Sequence, residues 1–358
     1  MTDRAYIPRP ATEPIRVDLY SDTLTRPTEG MRRAMAYAPV GDEQKGEDPS
    51  VNELVERVCE VLGLEAAVFL PSGTMCNQIA LAVHCRPGDE FYCDSSAHPL
   101  HSEAGGGSAL AGAQPCALDG ERGVYSAAQL ESALSPVTRY APHPRLVWVE
   151  QTANLAGGTC WRPEQIKAVT EVALTRRMAT HLDGARLFNA TVATGTTAAE
   201  VVAPFDSAWI DFSKGLGAPV GAALAGDEAF IDEAWRLKQR MGGAMRQAGV
   251  IAAAATYALD HHVERLAEDH ANARRLAEGL ASVDGIDLDP ATVETNIVVF
   301  RVPGWPGGPE AFVARLLRDT GVRASLAGGG RVRFVTHLDV GSHDVDLALD
   351  SVRQLMAA

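Results

Sequence analysis

The chain has 358 residues, 46% of them hydrophobic and 22% charged, with a formal net charge of −14. That length holds one large domain and a smaller one with ample core, while the acidic balance argues against nucleic acid or an anionic membrane surface as the main partner. The longest apolar stretch, 249–259, is too short to span a bilayer.

Residues Met1 to Arg16 carry Asp3, Glu13 and three prolines but no apolar core, so they read as a loose N-terminal arm and not as a signal peptide. The six cysteines, at 59, 76, 85, 93, 116 and 160, form no Cys-x-x-Cys pair. In apolar contexts they read as buried free thiols, with neither disulfides nor zinc expected. The expected location is cytoplasmic.

Val17 to Tyr20 is strand-like and leads through the hydroxyl-rich Ser21-Asp-Thr-Leu-Thr25 into a helix, with Pro27 near its first turn. After a charged loop from Gly41 to Pro49, Ser50 and Glu53 have the spacing of a capping box. Ala66 to Leu70 reads as a buried strand, followed at once by Pro71-Ser72-Gly73-Thr74 and an apolar-faced helix, Met75 to His84. Free amides and hydroxyls at the positive end of a helix hold a phosphate; an ordinary N-cap is the plainer use of the same residues.

Asp89 to Cys93 is the next strand, then the loop Ala97-His98-Pro99 and the run Glu103-Ala-Gly-Gly-Gly107, which does not fit a dinucleotide fingerprint. Arg145 to Glu150 is a strand ending in Gln151-Thr-Ala-Asn154, and 163–176 is a helix. Ala179 to Leu182 is a strand ending in Asp183-Gly-Ala-Arg186, and Ala208 to Phe212 another, stopped by Gly215, Gly217 and Pro219 just after Lys214. A long helical pattern runs from Gln247 to near Gly285. Strand-like and helical pieces after it suggest a small α+β domain.

Alternating strands and helices predict an α/β fold with a mostly parallel, doubly wound sheet over 17–258 and the smaller domain over 259–358. Ligands in such sheets sit beyond the carboxyl ends of the strands. Ser72, His98, Gln151, Asp183 and Lys214 all fall just past predicted strand ends.

Pyridoxal 5′-phosphate (PLP) needs the residue types found there. A partly buried lysine, Lys214, is a nucleophile toward its aldehyde, and a carboxylate, Asp183, keeps its pyridine nitrogen protonated. Ser72, Gly73 and Thr74 suit its phosphate, and His98 is a flat partner for the ring. Arg186 and Arg333 are placed to fork a substrate carboxylate. Each has a bland alternative: a surface lysine, a cap aspartate, a loop histidine.

The same residues carry a resemblance to the L-threonine aldolases, PLP enzymes of the aspartate-aminotransferase fold (fold type I). The matching motifs include Asp18 to Pro27, Pro39-Val-Gly-Asp42, Phe69 to Thr74, Ala97-His98, Glu103-Ala-Gly-Gly106, His181 to Arg186, Ser213 to Gly221, Gly242 to Gln247 and Val332 to Asp339, in family order along the chain. The resemblance implies that Lys214 bonds the cofactor, Asp183 pairs with the pyridine nitrogen, and His98 stacks on the ring near the β-hydroxyl. It implies that Ser72, Gly73 and Thr74 hold the phosphate, with Arg246 reaching it from a neighbouring subunit. Ser21, Arg186 and Arg333 would bind the substrate carboxylate, in a homotetramer built from dimers.

The implied reaction is reversible cleavage of a β-hydroxy-α-amino acid to glycine and an aldehyde, with His98 as candidate base. Where the family has Glu-Asn-Thr-His-Asn this chain has Ala153 in place of the histidine, and Lys45 stands where an aromatic is usual. Both are expected near the substrate end. The rivals are β-elimination or transamination on the same fold, and a PLP-free binding protein. An NTPase reading of Ser72-Gly73-Thr74 lacks a Walker lysine.

Overall fold

The computed structural model describes residues 14–357; most of the expected N-terminal arm, 1–13, lies outside the described residues. The strands are β1 Val17–Asp18, β2 Ala66–Leu70, β3 Asp89–Asp94, β4 Gln114–Leu118, β5 His143–Glu150, β6 Ala179–Gly184, β7 Ser207–Asp211, β8 Ala222–Gly226, β9 Ile297–Phe300, β10 Val322–Arg323, β11 Ser325–Leu326 and β12 Val332–Val335.

Seven of them form one sheet in the order β2-β8-β7-β6-β5-β3-β4. Only β8 is antiparallel to its neighbours. Because β8 reverses between β2 and β7, those two again run the same way. The carboxyl ends of β2, β3, β5, β6 and β7 therefore share one edge.

Side chains alternate across a strand, and here both faces are apolar. Ala67, Phe69, Val147, Val149, Ala208 and Ile210 enter one core; Val68, Leu70, Leu146, Trp148, Trp209 and Leu224 enter the other. Helices cover both faces, which explains why these strands read as continuous apolar runs.

A third core joins Val17 and Leu19 to Leu276, Leu280, Val298, Phe300, Phe312 and Phe334. Over it lie the antiparallel sheet β11-β12-β9 and the parallel pair β1-β10. The N-terminal segment thus packs with the far end of the chain.

Three local readings are corrected. The helix Pro49–Leu62 is capped by Asp48, whose Oδ1 accepts from the Val51 amide at 3.2 Å, and not by Ser50. Pro49, with its fixed φ and missing N–H, takes the first helical position, so the cap falls one residue before it; Ser50 Oγ instead donates to the Pro39 carbonyl oxygen at 2.8 Å. The long helix from Gln247 is two helices, Gly249–His261 and Leu266–Ala281. The first packs Ala252, Ala255 and Ala258 into the sheet core, the second Ala273, Leu276 and Leu280 into the third core. One straight helix cannot serve both. His98 opens a short helix, His98–His101, and is not in a loop.

Candidate active site

A cleft of about 500 Å³ opens at the shared strand edge, within the size range of small-molecule sites. From β7, Phe212 to Gly221 folds back on itself: the Phe212 amide donates to the Gly221 carbonyl oxygen at 3.1 Å and the Gly217 amide to that of Lys214 at 2.9 Å. Gly217 and Gly221 adopt φ of +78° and +117°, values that only glycine takes readily. Thr25 Oγ1 donates to the Lys214 carbonyl oxygen at 2.8 Å and ties the loop to the N-terminal segment.

The Lys214 side chain reaches into the cleft, its Nζ 2.5 Å from Asp211 Oδ2. Asp211 is steadied by the Ser213 amide and hydroxyl, each donating to Oδ1 at 2.7 Å. Sequence reasoning found no partner for this lysine. The signal was present, in a carboxylate closing an otherwise apolar strand.

Asp183, on β6, is 1% exposed. Its Oδ2 accepts from Asn77 Nδ2 at 2.9 Å and its Oδ1 from the Ala185 amide at 3.1 Å. Burial pushes this carboxyl up, more than His98, the Asn77 bond and Lys214 pull it down. The His98 amide donates to Glu150 Oε2 at 2.6 Å, and His98 Nδ1 lies 2.7 Å from Glu103 Oε1. Burial alone would lower the imidazole, but the Glu103 bond and the charges of Asp183, Glu103 and Glu150 raise it overall. Glu150 is pushed up to about 7, by burial first and the charge of Asp183 second.

The turn after β2 opens a helix at the cleft. Ser72 caps the helix Gly73–His84, its Oγ accepting from the Met75 amide at 3.2 Å. The amides of Gly73 and Thr74, in the first turn, have no partner within the helix. A Cβ on Gly73 would lie 2.2 Å from the Trp209 ring, so only glycine lets this turn sit against the cleft wall.

The arginines differ. Arg186 is buried, with Nε donating to Asp22 Oδ2 at 2.7 Å and Nη2 to Asp22 Oδ1 at 2.6 Å. The fork expected to be open to a substrate is thus closed on Asp22, leaving Nη1. Arg333 holds only uncharged oxygens: Nη1 donates to Asn154 Oδ1 at 2.9 Å, Nε to Ser325 Oγ at 3.0 Å, and Nη2 reaches the Tyr20 carbonyl oxygen at 3.5 Å. A half-buried guanidinium with neutral partners is suited to an anion. Ser21 lines the cleft beside Arg186 and Arg333.

Arg246 lies outside this cleft, exposed, with Nη1 donating to Asp42 Oδ2 at 2.8 Å. Nor do the two departures line it. Ala153 is buried against Gly123 and Lys45 is exposed in the turn Glu43–Lys45; Asn154, Leu155 and Leu326 line the cleft instead. A wider hollow of about 820 Å³ around Arg122 and Arg162 has those arginines committed to Glu294. Among the described residues, no cluster of three or more His, Cys, Asp or Glu is arranged to hold a metal, and no helix is long and apolar enough to cross a membrane.

Residues 18–303 match the model of the beta-eliminating lyase family. A probable low-specificity L-threonine aldolase 2 of Arabidopsis thaliana is 40% identical over 343 residues, covering 95% of this chain and 97% of the relative. The chain belongs to the beta-eliminating lyases, beside the low-specificity L-threonine aldolases.

The low specificity L-threonine aldolase of Escherichia coli K12 is also 40% identical, over 90% of this chain and 94% of its own. In fold, a threonine aldolase of Leishmania major superposes with a TM-score of 0.81 at 19% identity, covering 95% of this chain and 99% of that one. A putative L-allo-threonine aldolase of Listeria monocytogenes gives 0.77 at 22% identity, covering 95% and 96%.

Proposed function

We propose that the chain is a PLP-dependent aldehyde-lyase that reversibly cleaves L-threonine, L-allo-threonine and related β-hydroxy-α-amino acids to glycine and an aldehyde. One observation carries this reading. A single cleft brings together Lys214, the buried Asp183, the open helix turn at Ser72–Thr74 and an arginine, Arg333, with no carboxylate partner among the described residues. These donors fit PLP: an amine for the aldehyde, a carboxylate for the ring nitrogen, and amides for the phosphate, where a Cβ at residue 73 would intrude.

When bound, PLP supplies the electron sink for the pair released as Cα–Cβ breaks. The protein does the rest. Arg333, Nη1 of Arg186 and Ser21 hold the substrate carboxylate and so turn the breaking bond toward the cofactor. Such positioning contributes roughly 7–11 kcal/mol at best. His98, directly or through a water, takes the proton of the β-hydroxyl.

Arg246, exposed and outside its own cleft, reaches the phosphate held by a neighbouring copy in a homotetramer of two dimers. The chain divides near residue 259 into a cofactor-binding part and a smaller part, and it works in the cytoplasm on a small amino acid. The test is product analysis with L-threonine, L-allo-threonine and L-phenylserine. Glycine and aldehyde in equal amounts support the reading. A keto acid with ammonia, or an aminated cofactor, would replace it with β-elimination or transamination.

A further inference from the structure

We propose that Glu103 is a positioning residue for this cleavage: its carboxylate holds the His98 ring with Nδ1–H toward Glu103 and Nε2 free, and balances the ring's charge once Nε2 has taken the β-hydroxyl proton. This rests on the reading of His98 as base.

The Glu103 side chain is fully enclosed. Besides His98 Nδ1 it accepts from Asn77 Nδ2, at 2.6 Å to Oε1, and from Gln78 Nε2 on Oε2. Both amides stand on the helix Gly73–His84, so the carboxylate is pinned from a rigid element. The loop that delivers it is equally constrained. Ala104 and Gly105 have φ of +53° and +73°, and a Cβ on Gly106 would lie 2.4 Å from Gln78 Oε1.

An ionised carboxylate only accepts hydrogen bonds, so the ring nitrogen facing it carries the hydrogen. In the neutral ring the lone pair is then on Nε2, which has no partner among the described residues. This is the geometry in which a buried acid fixes a histidine tautomer without itself taking the proton.

The contacts extend further. The second hydrogen of Asn77 Nδ2 goes to Asp183 Oδ2 at 2.9 Å, giving an unbroken line His98–Glu103–Asn77–Asp183 from the base to the buried carboxyl of β6. The charged groups acting on His98 are Glu103 from the loop after its short helix, Asp183 from β6 and Glu150 from β5. Of these, only Glu103 touches the ring. The proton ledger is simple: the hydroxyl O–H breaks, Nε2–H forms, Nδ1–H stays in place, and the same proton is available for return to product.

The experiment is a histidine-labelled NMR titration of the PLP-loaded protein, wild type and Glu103→Gln, with cleavage rates measured alongside. In wild type, neutral His98 is expected as the Nδ1–H tautomer, with a midpoint above the usual value of about 6.5. In Glu103→Gln the midpoint is expected to fall by about one unit or more, moving the acid limb of the rate profile to lower pH. The turnover number is expected to drop by up to about 100- to 10,000-fold, the worth of a positioned general base, with KM and the cofactor's absorbance unchanged, and Glu103→Asp to recover part of the loss.

An unshifted midpoint would overturn the proposal. So would an Nε2–H tautomer in the wild-type protein, a measurement that needs no variant. A shifted midpoint with an unchanged rate would remove His98 as base, and the proposal with it, while leaving the cofactor assignment intact.

Discussion

Replacing Asp22 by asparagine tests the buried pair that shapes the carboxylate side of the cleft. Asp22 and Arg186 have side chains 0% and 4% exposed and share two short hydrogen bonds. The variant keeps the shape but loses the charge, and whichever way its amide turns, one N–H faces another. Breaking a buried ion pair by removing one partner costs about 3–5 kcal/mol.

Equilibrium urea unfolding reports this through tryptophan fluorescence, since Trp148, Trp161 and Trp209 are all fully buried. Arg186→Met supplies the second edge of a double-mutant cycle, in which the double variant is expected to be less damaged than the sum of the singles by about 2–3 kcal/mol. Burial alone would raise the Asp22 carboxyl, but the charge and bonds of Arg186, with Lys214 and Asn296 behind them, hold it well below the usual range. Its contribution is therefore complete above the unfolded value of about 3.9 and is lost only as the pH falls further. The deficit of Asp22→Asn should be equal at pH 6 and pH 8 and shrink at strongly acid pH. Additive single effects, or a deficit under about 1 kcal/mol, would refute the pair as a structural element.

Gly73→Ala drives a Cβ into the Trp209 ring, which should cost about 1–3 kcal/mol by overpacking and weaken PLP binding, read by cofactor titration; unchanged affinity would remove the turn from the phosphate site. Arg333→Met should lower kcat/KM about 100- to 10,000-fold, the worth of two hydrogen bonds to a charged group, and a loss below about threefold would place the carboxylate elsewhere. Glu150, raised to about 7 when folded from about 4.3 unfolded, binds its proton more tightly in the folded chain, so stability is lost as pH rises through that window. Glu150→Gln should accordingly gain on wild type between about pH 4 and pH 7 in thermal melts, and parallel curves would contradict the assignment.

What could be read from sequence was local. The helix Pro163–Arg176 was marked by its own first proline, and the buried strands by apolar runs. β8, by contrast, is four small residues and one leucine, Ala-Ala-Leu-Ala-Gly, with little strand preference of its own; it is a strand because β2 and β7 flank it. The break at 262–265 carries no glycine or proline and follows from the separation of two cores.

In the site, residues with a chemical signature were legible: a lysine followed by glycines, an aspartate at a strand end, a serine before a helix. Their partners were not. Asn77 and Gln78 are polar residues in a helix, Glu103 a residue in a glycine-rich loop, and only the fold brings them to one carboxylate. Arg186 was read as an open fork because nothing local announces that Asp22, 164 positions away in sequence, closes it.

The chain has four lysines, Lys45, Lys167, Lys214 and Lys238, and only Lys214 lines the cleft. Borohydride reduction of the PLP-loaded protein followed by peptide mapping therefore tests the central claim. The account predicts cofactor on the Lys214 peptide alone, with Lys214→Ala unlabelled and unable to form glycine and aldehyde. Label on another lysine, or full cleavage by Lys214→Ala, would contradict it.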